Sequence, residues 1–200
     1  MKQIKICGIK RREDVEALNL YLPDYCGFII NFPKSHRNVT VEQVQTLSAK
    51  LHPKIITVGV FVDQPIKTVV EFLNQNIIQI AQLHGHEDKA YVSGLKTETN
   101  HRVWQAFQIH TPDDIKKAND STADLVLLDA GQGVGISFDW SLLEQVTKPF
   151  ALAGGLNFTN LHDALSTRAV LLDVSSGVET HKVKDPAKIK SLIEEIRKKR

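Results

Sequence analysis

Two side chains of the sequence stand where an apolar strand pattern meets a flexible loop. Residues 4–7 alternate between apolar and polar and end on Cys7, directly before a glycine. Asp129 closes the apolar run 125–129 and precedes the glycine-rich segment 131–135. A thiol and a carboxylate can serve as base and acid in proton transfer. Each also has an ordinary structural interpretation, because free cysteine is commonly buried and aspartate commonly caps a loop or helix.

Short β-rich segments alternate with amphipathic segments along the whole chain, which predicts eight strand and helix units. Strands are predicted at residues 4–7, 25–30, 55–61, 77–83, 102–107, 125–129, 150–153 and 170–174, and helices near Arg12, Val41, Pro65, Glu87, Pro112, Trp140, Asn157 and Asp185. Eight units indicate an α/β fold, a single (β/α)8 TIM barrel over residues 1–200, with an open doubly wound sheet as the alternative. Barrel enzymes keep their chemistry at the carboxyl ends of the strands.

The side chains of a barrel strand alternate between the interior and the surrounding helices. The isoleucines of the first strand suit the helix layer, so Lys5 and Cys7 are predicted to face the interior. Leu127 and Asp129 share that parity on the sixth strand. Because the first and last strands become neighbours when a barrel closes, we expect Lys5 to pair with Asp173.

Two late loops carry small residues that suit an anion. Gly154 and Gly155 follow the seventh predicted strand, and Ser175, Ser176 and Gly177 follow the eighth. Glycines let backbone amides approach an anion closely, and helix N-termini add a favourable partial charge. Because the loops after strands seven and eight commonly bind phosphate in barrel enzymes, we predict a phosphate site there.

Arg37 and His84 add polar groups to the same end of the predicted barrel. Arg37 follows the second strand and can clamp a carboxylate with two parallel hydrogen bonds, although a solvated loop charge is the commoner fate of arginine. His84 ends the fourth strand, where it can line the mouth of the barrel or serve as a satisfied polar residue at the rim.

The overall composition is ordinary for a globular protein, with 42% hydrophobic residues and a net charge of +2 from 25 basic and 23 acidic residues. This balance predicts no general attraction to nucleic acid or membrane. The basic ending 197–200 follows an amphipathic helical pattern and is interpreted as a solvated helix end. No apolar run reaches the roughly 18 residues that cross a bilayer, and the N-terminus lacks a signal-peptide core. We therefore expect a cytoplasmic protein.

The two cysteines show no paired spacing motif, which suits a reducing compartment. With Cys7 closing the first strand and Cys26 opening the second, we expect their backbones to be offset by roughly 13 Å along the strands. That offset exceeds the reach of a disulfide, so both are predicted to be free thiols. The sequence leaves open whether the protein is a monomer or a homodimer.

The chain resembles the phosphoribosylanthranilate isomerase family of tryptophan biosynthesis over nearly its whole length. The resemblance is carried by segments in matching order, at residues 5–8, 32–37, 59–62, 82–85, 127–130, 138–140, 152–156 and 173–179. It implies an Amadori rearrangement of an N-phosphoribosyl aminoaldose to an aminodeoxyketose, with no cofactor and no metal. It further implies Asp129 as the general acid, Cys7 as the general base, Arg37 as the partner of the anthranilate carboxylate, and phosphate bound near Gly155, Ser176 and Gly177.

The chain also departs from the pattern of the family it resembles. Val134 and Ile136 stand in the glycine loop where small hydroxyl and basic residues are usual, Gln105 and Gln108 replace a lysine and an arginine, and His36 replaces a proline. We expect these changes to alter loop contacts and substrate affinity. Two alternatives remain: another phosphosugar isomerase or epimerase barrel, which typically relies on paired aspartates or a metal, and a non-catalytic protein that binds a phosphorylated metabolite.

Overall fold

The structure is a computed structural model that describes residues 2–129 and 139–198. In those residues eight parallel strands, numbered here β1 to β8, form a sheet whose order follows the chain. They are Gln3–Cys7, Tyr25–Ile30, Ile56–Phe61, Ile80–Leu83, Arg102–Gln108, Leu125–Asp129, Phe150–Ala153 and Leu171–Val174. Strand β1 pairs with both β2 and β8, which closes the sheet. The predicted (β/α)8 barrel is therefore confirmed.

Seven α-helices of the described residues surround the barrel: α1 Arg12–Tyr21, α2 Val41–Ser48, α3 Ile66–Asn74, α4 Lys89–Thr99, α5 Pro112–Asn119, α6 Leu161–Ser166 and α7 Pro186–Lys198. The sixth unit carries a short 3-10 helix, Trp140–Gln145, in place of the predicted α-helix. The two-residue strand Asn38–Val39 extends the sheet beside β2. After β8, Glu179–Thr180 and Val183–Lys184 form a small antiparallel hairpin.

Capping side chains explain where the helices begin. Thr40 and Gln43 form the predicted capping box of α2. The helices expected near Glu87 and Asn157 begin later, because Asp88 caps α4 by accepting from the Tyr91 amide and the Asn157 side chain holds a turn ahead of α6. Three predicted strands are also shorter than expected, since the chain joins the sheet only at residues 56, 80 and 171.

Buried side chains form two layers, as strand parity predicts. Tyr25, Ile80, Trp104 and Leu127 belong to the cluster inside the barrel, where the rings of Tyr25 and Trp104 meet edge to face with centroids 5.0 Å apart. The larger cluster lies between the strands and the helices and includes the isoleucines of β1. Leu127 of β6 belongs to the interior cluster, so the prediction that its side chain points inward is confirmed.

The expected separation of the cysteines is wrong, although both thiols are free. Cys26 lies level with Ile6 in the sheet, and Cys7 lies level with Gly27. The stagger of neighbouring strands in a closed barrel brings the end of β1 next to the start of β2. The thiols stay apart because Cys26 faces the helix layer, whereas Cys7 faces the opposite side of the sheet.

The basic C-terminal segment belongs to a packed helix. Ile189, Leu192, Ile193 and Ile196 of α7 are buried. Arg197 donates hydrogen bonds to the carbonyls of Tyr21 and Leu22 at the end of α1. Residues 199–200 lie outside the described residues, as does the glycine loop 131–135 with the departures at positions 134 and 136. In the described parts of the chain, each helix is too short or too polar to span a bilayer.

Candidate active site

Cys7 ends β1 at the carboxyl end of the barrel, and its thiol is almost fully buried, with 8% of the residue exposed. The neighbouring position on β2 is Gly27, where a Cβ atom would lie 2.8 Å from Cys7 Sγ and 3.1 Å from Lys5 Nζ. The missing side chain therefore provides the space that the thiol and the ammonium share. Lys5 and Cys7 point to the same side of β1, as strand alternation predicts.

Lys5 forms the predicted ion pair with Asp173. Lys5 Nζ lies 2.7 Å from Asp173 Oδ2 and 2.8 Å from Gln82 Oε1, and Lys5 itself has no exposed surface. Burial lowers the pKa of Lys5, but Asp173 and the nearby Cys7 outweigh burial and leave it raised. Lys5 is thus held as a cation whose charge is matched by one adjacent carboxylate.

The environment of Cys7 favours the neutral thiol. Burial raises the pKa of Cys7, and the Asp173 carboxylate adds to the increase, whereas Lys5 and Lys184 oppose it. Lys5, on the same side of β1, lowers this pKa, but its effect is smaller than the effect of burial. A thiol is an effective base only as the thiolate, so the source of its stabilisation matters for function.

Asp129 ends β6, level with Ala153 on β7 and with Gln108 on β5. His84 follows directly after β4, and its Nε2 atom lies 3.4 Å from Asp129 Oδ2. The sequence places both residues at strand ends but does not bring them together. The structure does so at the mouth of the barrel, where both side chains remain partly exposed. An imidazole at this distance can orient the carboxyl group.

Arg37 crosses the main chain directly after Cys7. Gly8 has a φ of 82°, and a Cβ atom there would lie 2.3 Å from Arg37 Cδ, so only glycine fits beneath the arginine. Arg37 Nε and Nη2 donate to the two carboxylate oxygens of Glu179 at 2.6 and 2.8 Å. The arginine predicted to hold a carboxylate therefore lies beside the thiol, positioned by an acidic residue.

Glu179 and Lys184 are the residues of this site that sequence reasoning missed. Lys184 Nζ donates to Glu179 Oε1 at 2.7 Å, so one carboxylate binds both Lys184 and Arg37. These partners, with Arg37 first among them, outweigh burial and hold the pKa of Glu179 at about 2. The only sequence signal was that Glu179 closes the segment 173–179 of the family resemblance, which assigned it no role.

The two predicted phosphate loops lie in contact with each other. Gly154 and Gly155 have φ values of 84° and 67°, which glycine adopts without strain. A Cβ atom at Gly177 would lie 2.0 Å from the carbonyl oxygen of Leu156, so the loop after β8 packs directly on the loop after β7. Helix α6 begins only at residue 161, so the first loop is shaped by its glycines and lies ahead of the helix.

The serines of the second loop have different environments. Ser175 Oγ donates to the carbonyl oxygen of Cys7 at 3.0 Å, which ties this loop to the end of β1. Ser176 opens the short 3-10 helix Ser176–Val178. The structure therefore brings the two loops, the thiol and Arg37 to one side of the barrel mouth, while Asp129 and His84 occupy another.

Of the departures from the family pattern, Gln105 lies outside the site. It is buried on the helix side of β5, where Nε2 donates to the Glu87 carbonyl and Oε1 accepts from Ser121. Gln108 has the opposite parity and lies level with Asp129 at the mouth. His36 Nε2 lies 3.7 Å from Glu179 Oε2, beside the arginine. Gln108 and His36 therefore lie at the site, whereas Gln105 does not.

Comparison with known proteins identifies the family of the chain. A family model described as N-(5′-phosphoribosyl)anthranilate (PRA) isomerase matches residues 4–195. The chain belongs to this family. Among curated members of the PRA isomerase family, the protein from Clostridium acetobutylicum is 39% identical over 208 residues, which cover 99% of each chain.

Solved structures of PRA isomerases share the fold. The enzyme from Thermus thermophilus superposes with a TM-score of 0.88 at 30% identity, covering 99% of this chain and 100% of that one. A PRA isomerase in complex with reduced 1-(o-carboxyphenylamino)-1-deoxyribulose 5-phosphate gives a TM-score of 0.85 at 29% identity with the same coverage. That ligand carries both a carboxylate and a phosphate.

Proposed function

We propose that the chain converts N-(5′-phosphoribosyl)anthranilate to 1-(2-carboxyphenylamino)-1-deoxyribulose 5-phosphate, a step of tryptophan biosynthesis, with Cys7 as base and Asp129 as acid. One observation carries the assignment of roles: Cys7 and Asp129 end β1 and β6 at the same end of the barrel, with β7 and β8 between them. An acid and a base that act on different atoms of one sugar need to approach it from separate positions.

Asp129 would begin the reaction by protonating the ring oxygen of the furanose. The bond between this oxygen and C1′ then breaks, and the nitrogen lone pair forms an iminium at C1′. His84, 3.4 Å from the carboxylate, can hold Asp129 in the orientation that this transfer needs. The open iminium withdraws electrons from C2′ and makes its proton more acidic.

Cys7 would then remove the proton from C2′ as a thiolate. The electron pair of the broken C–H bond forms a double bond between C1′ and C2′, and the iminium nitrogen is neutralised. The resulting enolamine becomes the ketone when the 2′-hydroxyl loses its proton and C1′ gains one. Substrate and product are isomers, so the reaction balances without an external oxidant or reductant.

The remaining residues of the site suit the two anionic ends of this substrate. Arg37 lies beside Cys7 and keeps donors beyond the two that bind Glu179, so it can receive the anthranilate carboxylate. The backbone at Gly154, Gly155, Ser175, Ser176 and Gly177 would bind the phosphate. We also propose a cytoplasmic location and no nucleic-acid partner, supported by the free thiols and the packed basic helix.

Paired variants test the two catalytic roles. Cys7→Ser and Asp129→Asn preserve shape but weaken the base and remove the acid, so each is expected to lower kcat by about 10²- to 10⁴-fold. Loss of the fluorescence of phosphoribosylanthranilate measures turnover. Cys26→Ser, which alters the other buried thiol, is the matched control and should keep near wild-type turnover. Near wild-type kcat in either catalytic variant would contradict its assigned role.

The same assay yields a pH dependence with a defined sign. The active base is the thiolate, and burial raises the pKa of Cys7, so kcat/KM should still be rising with pH above neutrality. A profile that is already level in the acidic range would show that another group, with a lower pKa, is the base.

A further inference from the structure

The proposed reaction needs Cys7 as a thiolate, but the burial of Cys7 raises its pKa and so opposes ionisation. Three cations lie near Cys7: Lys5 on its own strand, Lys184 in the hairpin after β8, and Arg37 in the loop after β2. Asp173 on β8 is the carboxylate that faces it. Lys5 and Asp173 form a buried pair at 2.7 Å, so this carboxylate offsets part of the effect that the Lys5 ammonium has on the thiol.

Lys184 is held in a buried position by the loop that also contacts Cys7. Its ammonium donates to the Ser175 carbonyl at 2.9 Å, to Ser175 Oγ at 3.3 Å, and to Glu179 Oε1 at 2.7 Å. Ser175 Oγ in turn donates to the main-chain carbonyl of Cys7 at 3.0 Å. Ser175 thus connects the Lys184 ammonium to the end of β1. Lys184 is buried, with 3% of the residue exposed.

Lys184, Glu179 and Arg37 form a second group of charges near Cys7. Glu179 is shared between Lys184 and Arg37, so this group of three residues carries a net charge of one positive unit. Arg37 has further donors for a substrate carboxylate, whereas the ammonium of Lys184 is enclosed by Glu179 and Ser175. An enclosed cation of fixed position is suited to stabilising an adjacent anion of the protein itself.

We propose that Lys184 is a positioning residue for the base, whose ammonium, held by Glu179 and Ser175, stabilises the Cys7 thiolate. The proposal rests on the proposed role of Cys7 and deepens it. The coupling acts in both directions, because burial lowers the pKa of Lys184 while Glu179 and Cys7 raise it. Ionisation of the thiol therefore favours the charged form of Lys184, and the charged lysine favours ionisation of the thiol.

The test compares Lys184→Met with Lys184→Arg and with the matched control Lys188→Met. Lys188 lies in the same region, but its amine donates to the main-chain carbonyl of Glu179, at 2.8 Å, and not to the Glu179 carboxylate. Thiolate is measured against pH by its ultraviolet absorbance, with each variant also prepared in a Cys7→Ala background for subtraction. Isomerase kcat/KM is measured over the same pH range.

Lys184→Met is expected to leave about tenfold less Cys7 thiolate at neutral pH, a shift of about one pKa unit. Its kcat/KM should fall by a similar factor at neutral pH and recover at high pH, which a merely structural defect would not do. Lys184→Arg should restore both profiles, and Lys188→Met should keep them. If the methionine variant does not fold, Lys184→Gln, which keeps a donor without the charge, replaces it.

A Cys7 titration that is unchanged in Lys184→Met or Lys184→Gln would overturn the proposal. So would an arginine variant that titrates like the uncharged variants, because charge would then not be the cause. The titration does not depend on turnover. If Cys7→Ala retained activity, the assignment of Cys7 as base would fail, while the effect of Lys184 on the thiol would still be measured separately.

Discussion

The buried pair of Lys5 and Asp173 allows a quantitative test of how the barrel interior is stabilised. Three variants form a double-mutant cycle: Lys5→Met, Asp173→Asn and the two together. Each single change leaves one buried charge without its partner at 2.7 Å, whereas the double change removes both charges. The free energies of unfolding of the four proteins then separate the pair interaction from the cost of each substitution.

The magnitudes follow from the burial of the two groups. Lys5 has no exposed surface and Asp173 has 7% exposed, so a lone charge at either position is poorly hydrated. Within residues 2–129 and 139–198, Asp173 Oδ1 has no hydrogen-bond partner, so Lys5→Met would leave the carboxylate without the one cation that contacts it. Breaking a buried pair on one side typically costs about 3–5 kcal/mol, and removing both charges costs less than the sum of the two single changes.

Urea unfolding, followed by far-ultraviolet circular dichroism and tryptophan fluorescence, measures these free energies. We expect the single variants to lose about 3–5 kcal/mol each and the coupling energy to be about 1–3 kcal/mol. The pKa of Lys5 is raised in the folded state, so its stabilisation is complete below the ordinary lysine range and is lost as pH rises through the folded value. Additive effects, or single losses below about 1 kcal/mol, would refute the reasoning.

Two further variants test substrate binding. Arg37→Lys keeps the charge but loses the planar guanidinium group that binds Glu179. We therefore expect steady-state kinetics to show a rise in KM of about 10- to 100-fold with a smaller change in kcat. An unchanged KM would show that the arginine does not hold the substrate. Gly177→Ala places a Cβ atom against the Leu156 carbonyl, so it should raise KM and cost about 1–3 kcal/mol of stability. The control Gly94→Ala lies inside α4, where a Cβ atom meets only the flexible side chain of Ile66 on α3, and it should be neutral or slightly stabilising. Equal behaviour of the two glycine variants would count against the contact between the loops.

The features that the sequence predicts well depend on periodicity along the chain. Alternation of apolar and polar residues places Cys7 at a strand end facing inward, and the apolar run 125–129 places Asp129 at the end of its strand. Closure of the barrel then makes the first and last strands neighbours, so the pairing of Lys5 with Asp173 follows from topology and parity together. These predictions need no knowledge of loop conformation.

The features that the sequence does not predict depend on strand stagger and on loop geometry. Cys26 lies level with Ile6 because neighbouring strands are offset, and this offset leaves no periodic signal. The bond between Arg37 and Glu179 joins residues 142 positions apart in two loops. The sixth predicted helix is instead a short 3-10 helix, which Asp139 caps by accepting from the Ser141 amide.

The two groups of charges around Cys7 should therefore differ in what their loss does. Lys5 and Asp173 lie within the barrel and neutralise each other, so breaking that pair should mainly lower stability. Lys184, in the loops, belongs to the group with a net positive charge, so its loss should mainly move the pH profile of the base. Lys5→Met also alters the surroundings of Cys7. The free energy of unfolding and the pH profile of kcat/KM are therefore measured for both Lys5→Met and Lys184→Met. We expect Lys5→Met to cause the larger loss in the free energy of unfolding, and Lys184→Met to cause the larger shift in the pH profile of kcat/KM.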